Sequence, residues 1–253
     1  MDRYLADSRR MKLAQLINDK GSIRVAELAD FFGVTKETIR KDLIYLDQQK
    51  LVCKTHGGAV AISESSERPV QLRSMENPEK KIRIATRALD FISDSKVVIL
   101  DSGSTVLQLA AQLTTGCCET VVTNSLPAAN MLAEKEMVFL WIGGEFSPVT
   151  MSTSGMAAVH TLNYITADTV FLGSSGFQSC SGPSAKAFCD AQIKRDMMNR
   201  SRTKIVLADS SKFATNAFVR FADWTEIDYL ITDAEAPESA ILELKKKVKV
   251  ILA

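Results

Sequence analysis

The amino-acid sequence predicts an α/β protein in two parts, an N-terminal winged helix-turn-helix followed by a larger α/β domain with a mostly parallel sheet. Two observations support this prediction. Residues 21–59 show the pattern of a helix, a tight turn, a basic second helix and a glycine-rich hairpin. From Lys96 onward, short apolar runs rich in β-branched residues alternate with helical stretches, which is typical of buried parallel strands joined by helices.

The first two helices follow from apolar periodicity. Residues 11–17 form the first, with Arg9, Arg10 and Lys12 near its start. Residues 25–32 form the second, because their apolar side chains recur at positions i, i+3, i+4 and i+7 and make one buried face. Gly33 ends that helix, and Thr35 is placed to cap the next one.

The third helix and the hairpin after it contain the candidate DNA contacts. Ile39, Leu43 and Leu46 are predicted to face inward, which leaves a polar face outward. In a helix-turn-helix, the first residues of the second helix of the motif reach base edges while nearby cations hold phosphates. A lone basic helix is more often an ordinary solvated face, but here the spacing, the turn and the hairpin agree. The sequence therefore predicts contacts with double-stranded DNA from Thr35, Lys36, Glu37, Thr38, Arg40, Lys41, Lys54 and His56.

Charge and composition agree with this division. Residues 1–60 contain 11 Lys and Arg against 8 Asp and Glu, whereas residues 61–253 contain 20 against 22. The 253 residues, 46% of them hydrophobic, suffice for a small and a larger domain. No apolar run approaches the roughly 20 residues of a membrane span, and the N-terminus lacks an apolar signal core. We therefore expect a cytoplasmic protein with no membrane partner.

The cysteines and histidines give no sign of a metal or cofactor site. The five cysteines are scattered without a paired C-x-x-C spacing, so reduced thiols are favoured over zinc or disulfides. Two isolated histidines make no metal site. These cysteines are Cys53, Cys117, Cys118, Cys180 and Cys189.

A polar segment separates the two predicted domains. Residues 63–69 contain serines, glutamates and Pro69 and show no periodicity, which predicts a linker. A helix then begins near Pro78. We expect a DNA-binding domain over residues 1–60, a linker over 61–77 and a ligand-binding and oligomerisation domain over 78–253.

Small hydroxyl-rich loops follow the predicted strands and form the candidate ligand site. The segment DSGST, residues 101–105, lies between a strand and a helix, where backbone N–H groups and the helix dipole can hold an anion. Ligands of parallel sheets bind at the carboxyl ends of strands. Each loop alone also suits an ordinary turn, but together they favour a small polyhydroxylated anion such as a sugar phosphate. The candidate residues are Asp101, Ser102, Gly103, Ser104, Thr105, Asn124, Gly144, Ser175 and Lys212.

The order of these motifs resembles the DeoR family of bacterial transcriptional regulators over nearly the whole chain. The most specific segments are TIRKDL (38–43), HGGA (56–59), DSGST (101–105) and DSSKF (209–213). The resemblance implies a repressor, usually of sugar-catabolism genes, that binds operator DNA as an oligomer. It also implies a phosphorylated sugar or sugar-acid effector, held in a C-terminal domain similar to ribose-5-phosphate isomerase. The apolar terminal strand KVKVILA and the single small DNA head favour a homo-oligomer, a dimer or a tetramer.

One segment departs from the family pattern and leaves the identity of the sugar open. In residues 181–190 the usual Gly-Ile/Leu-Thr-Thr followed by Asn and Glu is missing, and Lys186 is either a second anion contact or surface charge.

The alternative function is that of a sugar-phosphate isomerase-like enzyme, which needs a carboxylate base and a group that polarises the carbonyl. The loop over residues 173–177, where the isomerases carry acidic residues, has none. Asp101, Asp190 and Asp209 remain as possible bases, but each also suits an ordinary hydrogen-bonding or capping role. The sequence therefore favours a regulator without catalytic residues.

Overall fold

A computed structural model describes residues 2–62, 67–93, 95–177 and 181–253, with side chains described from Ala6 onward. Residues 63–66 of the predicted linker, together with Cys180, lie outside the described part. The chain divides into two compact units, Met1–Glu76 and Asn77–Ala253.

The first unit has the predicted winged helix-turn-helix. The antiparallel strand order β1-β3-β2 makes the wing sheet. The first helix is longer than the predicted segment 11–17, and β1 was not predicted because three residues are too few to show a period. The elements are α1 (Asp2–Lys20), β1 (Ser22–Arg24), α2 (Val25–Phe32), α3 (Lys36–Gln48), β2 (Cys53–Lys54), β3 (Gly58–Val60) and α4 (Val70–Met75).

One apolar core joins the helices of this unit. Leu13, Leu28, Ile39 and Leu43 are fully buried in it, and burying a side chain of this size stabilises the fold by about 1.5–3 kcal/mol. Leu72 of α4 packs into the same core. Part of the range 61–77, predicted to be a linker, is therefore helical and belongs to the first unit.

The second unit alternates strands and helices. Short 3-10 helices also occur at Leu89–Phe91, Ser210–Ala214 and Trp224–Glu226. The elements are α5 (Pro78–Ala88), β4 (Val97–Leu100), α6 (Ser104–Gln112), β5 (Thr120–Thr123), α7 (Leu126–Glu134), β6 (Phe139–Trp141), β7 (Glu145–Ser147), β8 (Ser152–Ser154), α8 (Gly155–Leu162), β9 (Ala167–Gly173), β10 (Ser184–Ala185), α9 (Phe188–Asn199), β11 (Ser201–Leu207), β12 (Val219–Arg220), β13 (Tyr229–Thr232), α10 (Glu238–Leu244) and β14 (Lys249–Leu252).

Among the described residues, seven parallel strands form the central sheet in the order β14-β13-β11-β9-β4-β5-β6. The apolar runs predicted as buried strands all lie in it, which confirms the prediction of a parallel sheet. Ile99 packs into one apolar cluster, while its neighbours Val98 and Leu100 pack into another. Both faces of the sheet are therefore buried at β4, which explains why the central strands are apolar throughout. Leu140 and Trp141 of the edge strand β6 are exposed instead.

The strand order reverses direction between β4 and β9. From β4 the chain runs outward through β5 to β6, and then returns to place β9 on the other side of β4. Loops that leave two neighbouring strands in opposite directions open a crevice at the carboxyl edge of such a sheet. The loops after Leu100 and Gly173 lie at this point. No helix in the described ranges combines the length and apolar character that crossing a membrane requires.

Candidate DNA interface and effector site

The turn and the cap of the helix-turn-helix form as the sequence predicts. Gly33 ends α2 at φ 63, in the left-handed region that favours glycine. Thr35 caps α3, and its Oγ1 accepts the backbone N–H of Thr38 at 3.1 Å. The hydroxyl of Thr38 lies 2.9 Å from Oγ1 of Thr35. Thr38 is therefore half-buried within the cap, whereas the sequence predicted it to face outward.

The exposed side of α3 is basic. Lys36, Arg40 and Lys41 are exposed over its first two turns, together with Glu37. Oε2 of Glu37 lies 3.7 Å from Nη1 of Arg40, and such an exposed pair is weak because water and salt screen it. The first half of α3 thus presents three cations and one carboxylate to solvent.

A buried carboxylate orients two arginines beside α3. Asp42 is 1% exposed, and Nε of Arg9 and Nε of Arg10 donate to its two oxygens, each at 2.8 Å. The guanidinium of Arg10 also lies 4.3 Å from the ring centroid of Tyr45. These contacts tie α1 to α3. From the sequence, both arginines counted only toward a general excess of basic residues. No neighbouring residue in the sequence indicates that they share Asp42 as a partner.

The hairpin forms the wing and exposes its predicted contacts. Lys54 and His56 are both exposed, and the backbone N–H of Lys54 donates to Oδ1 of Asp47 at 2.8 Å. Gly58 lies against β1, where an added Cβ would come 2.1 Å from the carbonyl oxygen of Ile23. A glycine is therefore required at position 58 for β3 to pair with β1.

In the second unit, the DSGST loop lies at the reversal of strand order. Gly103 directly precedes α6, and a Cβ added to it would lie 3.0 Å from Cα of Gly173. The two glycines let the loops after β4 and β9 approach closely. Ser102, Ser104 and Thr105 are all buried there. The predicted residues 101–105 and the end of β9 therefore meet at the helix N-terminus.

The carboxylate of Asp101 is held by partners that come from distant parts of the chain. Its Oδ2 accepts the backbone N–H of Gly173 at 2.8 Å and a bond from Nζ of Lys194. Side-chain exposure is 0% for Asp101 and 4% for Lys194, so the ion pair is shielded from water. Oδ1 of Asp101 is buried and has no hydrogen-bond partner in the described part of the chain.

Asn124 directly follows β5, the strand next to β4. The register pairs Leu100 with Thr123, so the residues that follow them are neighbours at the same sheet edge. Nδ2 of Asn124 donates to the carbonyl of Thr153 at 2.9 Å. Its Oδ1, like Oδ1 of Asp101, is buried and without a partner among the described residues. Two buried acceptors without partners in the described part of the chain therefore belong to residues that follow neighbouring strands.

Lys212 follows β11 and lies close to an acidic group. The backbone of Lys212 accepts the N–H of Phe177 at 3.0 Å, which joins this loop to the loop after β9. Burial alone would raise the pKa of Asp209, but the charge of Lys212, the hydrogen bonds from Ser211 and the charge of Lys81 outweigh it and lower the pKa. Asp209 is thus stabilised as a carboxylate.

Gly144 and Ser175, the remaining predicted residues, have clear backbone roles. Gly144 has φ 139, and an added Cβ would lie 2.4 Å from the carbonyl oxygen of Ser154, so the turn itself requires glycine. Ser175 is half-buried and its N–H donates to the carbonyl of Ser184 at 2.8 Å. Both lie in loops at the carboxyl edge of the sheet.

Comparison with protein families identifies the chain. A family model of the DeoR-like helix-turn-helix domain matches residues 9–65, and a model of the DeoR C terminal sensor domain matches residues 76–234. The chain belongs to the DeoR family. It is a DNA-binding transcriptional regulator, as the sequence predicted.

Other members of the DeoR family match over most of their length. The regulator YulB of Bacillus subtilis is 34% identical over 249 residues, which cover 97% of this chain and 96% of YulB. The glycerol-3-phosphate regulon repressor of Escherichia coli is 30% identical over 230 residues, with 90% and 91% covered.

Two solved structures are also similar. A D-ribose-5-phosphate isomerase in complex with phospho-erythronic acid aligns over 55% of each chain, with 18% identity and a TM-score of 0.39. The sorbitol operon regulator SorC of Klebsiella pneumoniae covers 93% of this chain and 98% of its own, with 12% identity and a TM-score of 0.38.

Lys194 is the main residue of this DeoR-family site that sequence reasoning missed. It lies in the IKRDM segment of α9, and besides Asp101 it has Asp190 at 3.8 Å from its Nζ. Lys186, which the sequence left as anion contact or surface charge, is half-buried. A buried lysine is rarely left without a carboxylate, but the sequence does not show which carboxylate lies near it.

The thiols have no assigned role in this regulator. Sγ of Cys117 and Sγ of Cys118 lie 3.9 Å apart. Burial, together with the neighbouring charge and hydrogen bond of Cys117, raises the pKa of Cys118 to about 12. Cys118 is therefore a protonated thiol at neutral pH. Within the described residues, no group of three or more His, Cys, Asp and Glu side chains could hold a metal ion.

Proposed function

We propose that this regulator represses genes of carbohydrate catabolism and that a phosphorylated sugar or sugar acid controls its affinity for a double-stranded DNA operator. The observation that carries the proposal is the polar site at the N-terminus of α6, which contains two buried acceptors without partners in the described part of the chain. The glycerol-3-phosphate regulon repressor of Escherichia coli and the lactose phosphotransferase system repressor of Staphylococcus epidermidis, 28% identical over 260 residues, support a role in carbohydrate metabolism.

In this proposal the phosphate binds at the start of α6. Backbone N–H groups at a helix N-terminus are oriented for an anion, and the hydroxyls of Ser102, Ser104 and Thr105 add donors. Lys212 supplies a positive charge. The anion site is then built from the same short loop that the sequence singled out.

The hydroxyl groups of the sugar bind on the other side of the site. Oδ1 of the Asp101 carboxylate and Oδ1 of Asn124 can only accept hydrogen bonds, and both residues follow neighbouring strands at the same sheet edge. Sugar hydroxyls can donate to such acceptors. An effector without these hydroxyls would leave buried acceptors unpaired, which costs about 1–3 kcal/mol for each group.

On the DNA side, the recognition surface lies at the start of α3 and consists of Thr35, Lys36, Glu37, Thr38, Arg40 and Lys41. Two residues of the wing, Lys54 and His56, contact the DNA backbone. Arg40 is the candidate reader of a guanine edge because it is exposed near the start of α3. Replacing Arg40 by Ala then costs about 1–3 kcal/mol on the operator and relaxes preference at one base position. Equal losses on operator and random DNA would reduce Arg40 to a phosphate contact.

The chain acts as a regulator in this proposal and has no catalytic residues. A base for sugar isomerisation works best with its pKa near the working pH, whereas Asp209 has a lowered pKa. Asp101 is already bonded to Lys194 and to Gly173. Two DNA heads of a dimer or tetramer bind one operator, because paired heads multiply the affinity of a small DNA-binding unit.

Calorimetry tests the effector site. Sugar phosphates and their unphosphorylated parents are titrated into wild type, Lys212→Ala and the control Lys204→Ala, in which a half-buried lysine within β11 is removed. We expect phosphorylated ligands to bind more tightly, and Lys212→Ala alone to remove most of that advantage. Linkage requires the ligand to change operator affinity by the same factor by which DNA changes ligand affinity.

Two results would overturn the proposal: free sugars that bind as tightly as their phosphates, or a bound sugar phosphate that leaves operator affinity unchanged. Turnover of the sugar phosphate, followed by NMR, would instead indicate the enzyme.

A further inference from the structure

Strand β6 is an apolar edge of the central sheet. In the described part of the chain it pairs with β5 on one side and has no neighbour on the other. Val138, Leu140 and Trp141 are exposed there by 71%, 41% and 44%. Soluble proteins usually protect such an edge, because it can pair with another chain.

Among the described residues, nothing bonds to the backbone hydrogen-bonding groups of β6 that face this edge. The carbonyl of Val138 accepts the N–H of Val121 at 3.3 Å, and the N–H of Ile142 donates to Thr123 at 2.8 Å. Because backbone groups along a strand alternate between the two sides, Leu140 also bonds toward β5. The N–H and C=O groups of Phe139 and Trp141 therefore point to the open edge.

These groups are self-complementary about a two-fold axis at Leu140. An antiparallel copy of β6 would place Phe139 opposite the partner's Trp141, and Trp141 opposite the partner's Phe139. Each such pair can exchange two N–H···O bonds, so all four unused groups of each strand are satisfied. Leu140 then packs against its own symmetry copy, as an interface between identical patches requires.

Charge separates this edge from the opposite one. Residues 137–144 contain no ionisable side chain, whereas Lys249 lies in β14 and follows three consecutive lysines at 245–247. A two-fold interface places a patch against itself, so β14 would bring lysines of two copies together. The sequence suggested assembly through the terminal strand KVKVILA, but repulsion between the lysines of two copies opposes that interface.

We infer that β6 is the surface at which a second copy of this chain docks, by antiparallel pairing about Leu140 into one continuous sheet. The inference rests on the proposed pairing of two DNA heads and adds the surface that makes the pair.

Matched charge substitutions at the two edges test the inference. Leu140 and Leu252 are exposed by 41% and 49%, on β6 and β14 respectively. In sedimentation equilibrium of the full chain at micromolar concentration, we expect Leu140→Lys to halve the mass and weaken association by about a hundredfold or more, since two ammonium groups meet at the axis. Leu252→Lys should keep the wild-type mass.

A second measurement does not depend on disrupting the assembly. Leu140→Cys, treated with a short bismaleimide, should give a covalent dimer well above the background of the native cysteines, while Leu252→Cys should not. Far-UV circular dichroism checks that each variant is folded.

The outcomes distinguish the interface from the pairing itself. A folded Leu140→Lys that keeps the wild-type mass, or cross-linking that favours position 252, overturns the β6 interface alone. A wild-type monomer that still binds its operator tightly overturns both the interface and the proposed pairing of heads.

Discussion

Replacing Asp101 by Asn tests the buried ion pair that joins β4, β9 and α9. The two paired side chains are 0% and 4% exposed, and a backbone N–H donates to the same oxygen of Asp101 at 2.8 Å. Asn keeps the size of the side chain and one acceptor. The ammonium of Lys194 then keeps Asp190, 3.8 Å away, as a more distant carboxylate.

The expected loss follows from this geometry. Breaking a buried pair from one side costs about 3–5 kcal/mol, and because Asp190 compensates part of the charge, we expect about 2–4 kcal/mol for Asp101→Asn. With a urea m-value of about 2 kcal/mol/M, the urea midpoint of unfolding falls by about 1–2 M.

The opposite change, Lys194→Met, leaves the carboxylate of Asp101 without its ammonium partner. The double variant should therefore cost less than the sum of the single changes, by a coupling of about 0.5–3 kcal/mol.

Tryptophan fluorescence in urea measures this effect in the correct unit, because Trp141 and Trp224 both lie in Asn77–Ala253. The control is Lys96→Met, which breaks an exposed pair with Glu119 at 3.4 Å. Such pairs contribute about 0–1 kcal/mol. The reasoning is refuted if Asp101→Asn costs no more than this control, or if the two single changes add without coupling.

Three further predictions concern other sites. Gly58→Ala should lower the melting temperature of the DNA head and its affinity for DNA, because the added Cβ would lie 2.1 Å from a backbone oxygen of β1. The control is Gly57→Ala, whose Cβ has nothing within 4 Å and which should leave both quantities nearly unchanged. Asp42→Asn should destabilise the head by about 1.5–3 kcal/mol in circular-dichroism melts, because it weakens two charge-assisted hydrogen bonds. Asp7→Asn, at an exposed pair, should cost about 0–1 kcal/mol. Because folding lowers the pKa of Asp209, its carboxylate stabilises the folded protein at pH values above the unfolded-state pKa of about 3.9. This stabilisation is lost as the pH falls through the folded-state pKa. Stability of Asp209→Asn, measured by urea unfolding, should thus fall less steeply below about pH 4 than that of wild type; equal slopes would contradict the assignment.

The sequence determined the features that depend on neighbouring residues. Apolar spacing predicted α2, α3 and the parallel strands, and a single hydroxyl or glycine predicted the cap at Thr35 and the turn at Gly33. These rules are local, because a helix or strand repeats its side-chain direction every few residues and a cap bonds to a group three residues away. The DSGST loop followed from the same logic, since it needs only a strand before it and a helix after it.

Only the tertiary structure decided which distant charged groups meet. Asp42 bonds to Arg9 and Arg10 more than thirty positions away, and Asp101 bonds to Lys194 across 93 positions. The sequence shows that such a charge exists but not which partner the packing brings near. The structure also showed that β6, and not the lysine-bearing β14, is the uncharged edge, because strand order depends on which strands the crossover helices bring side by side.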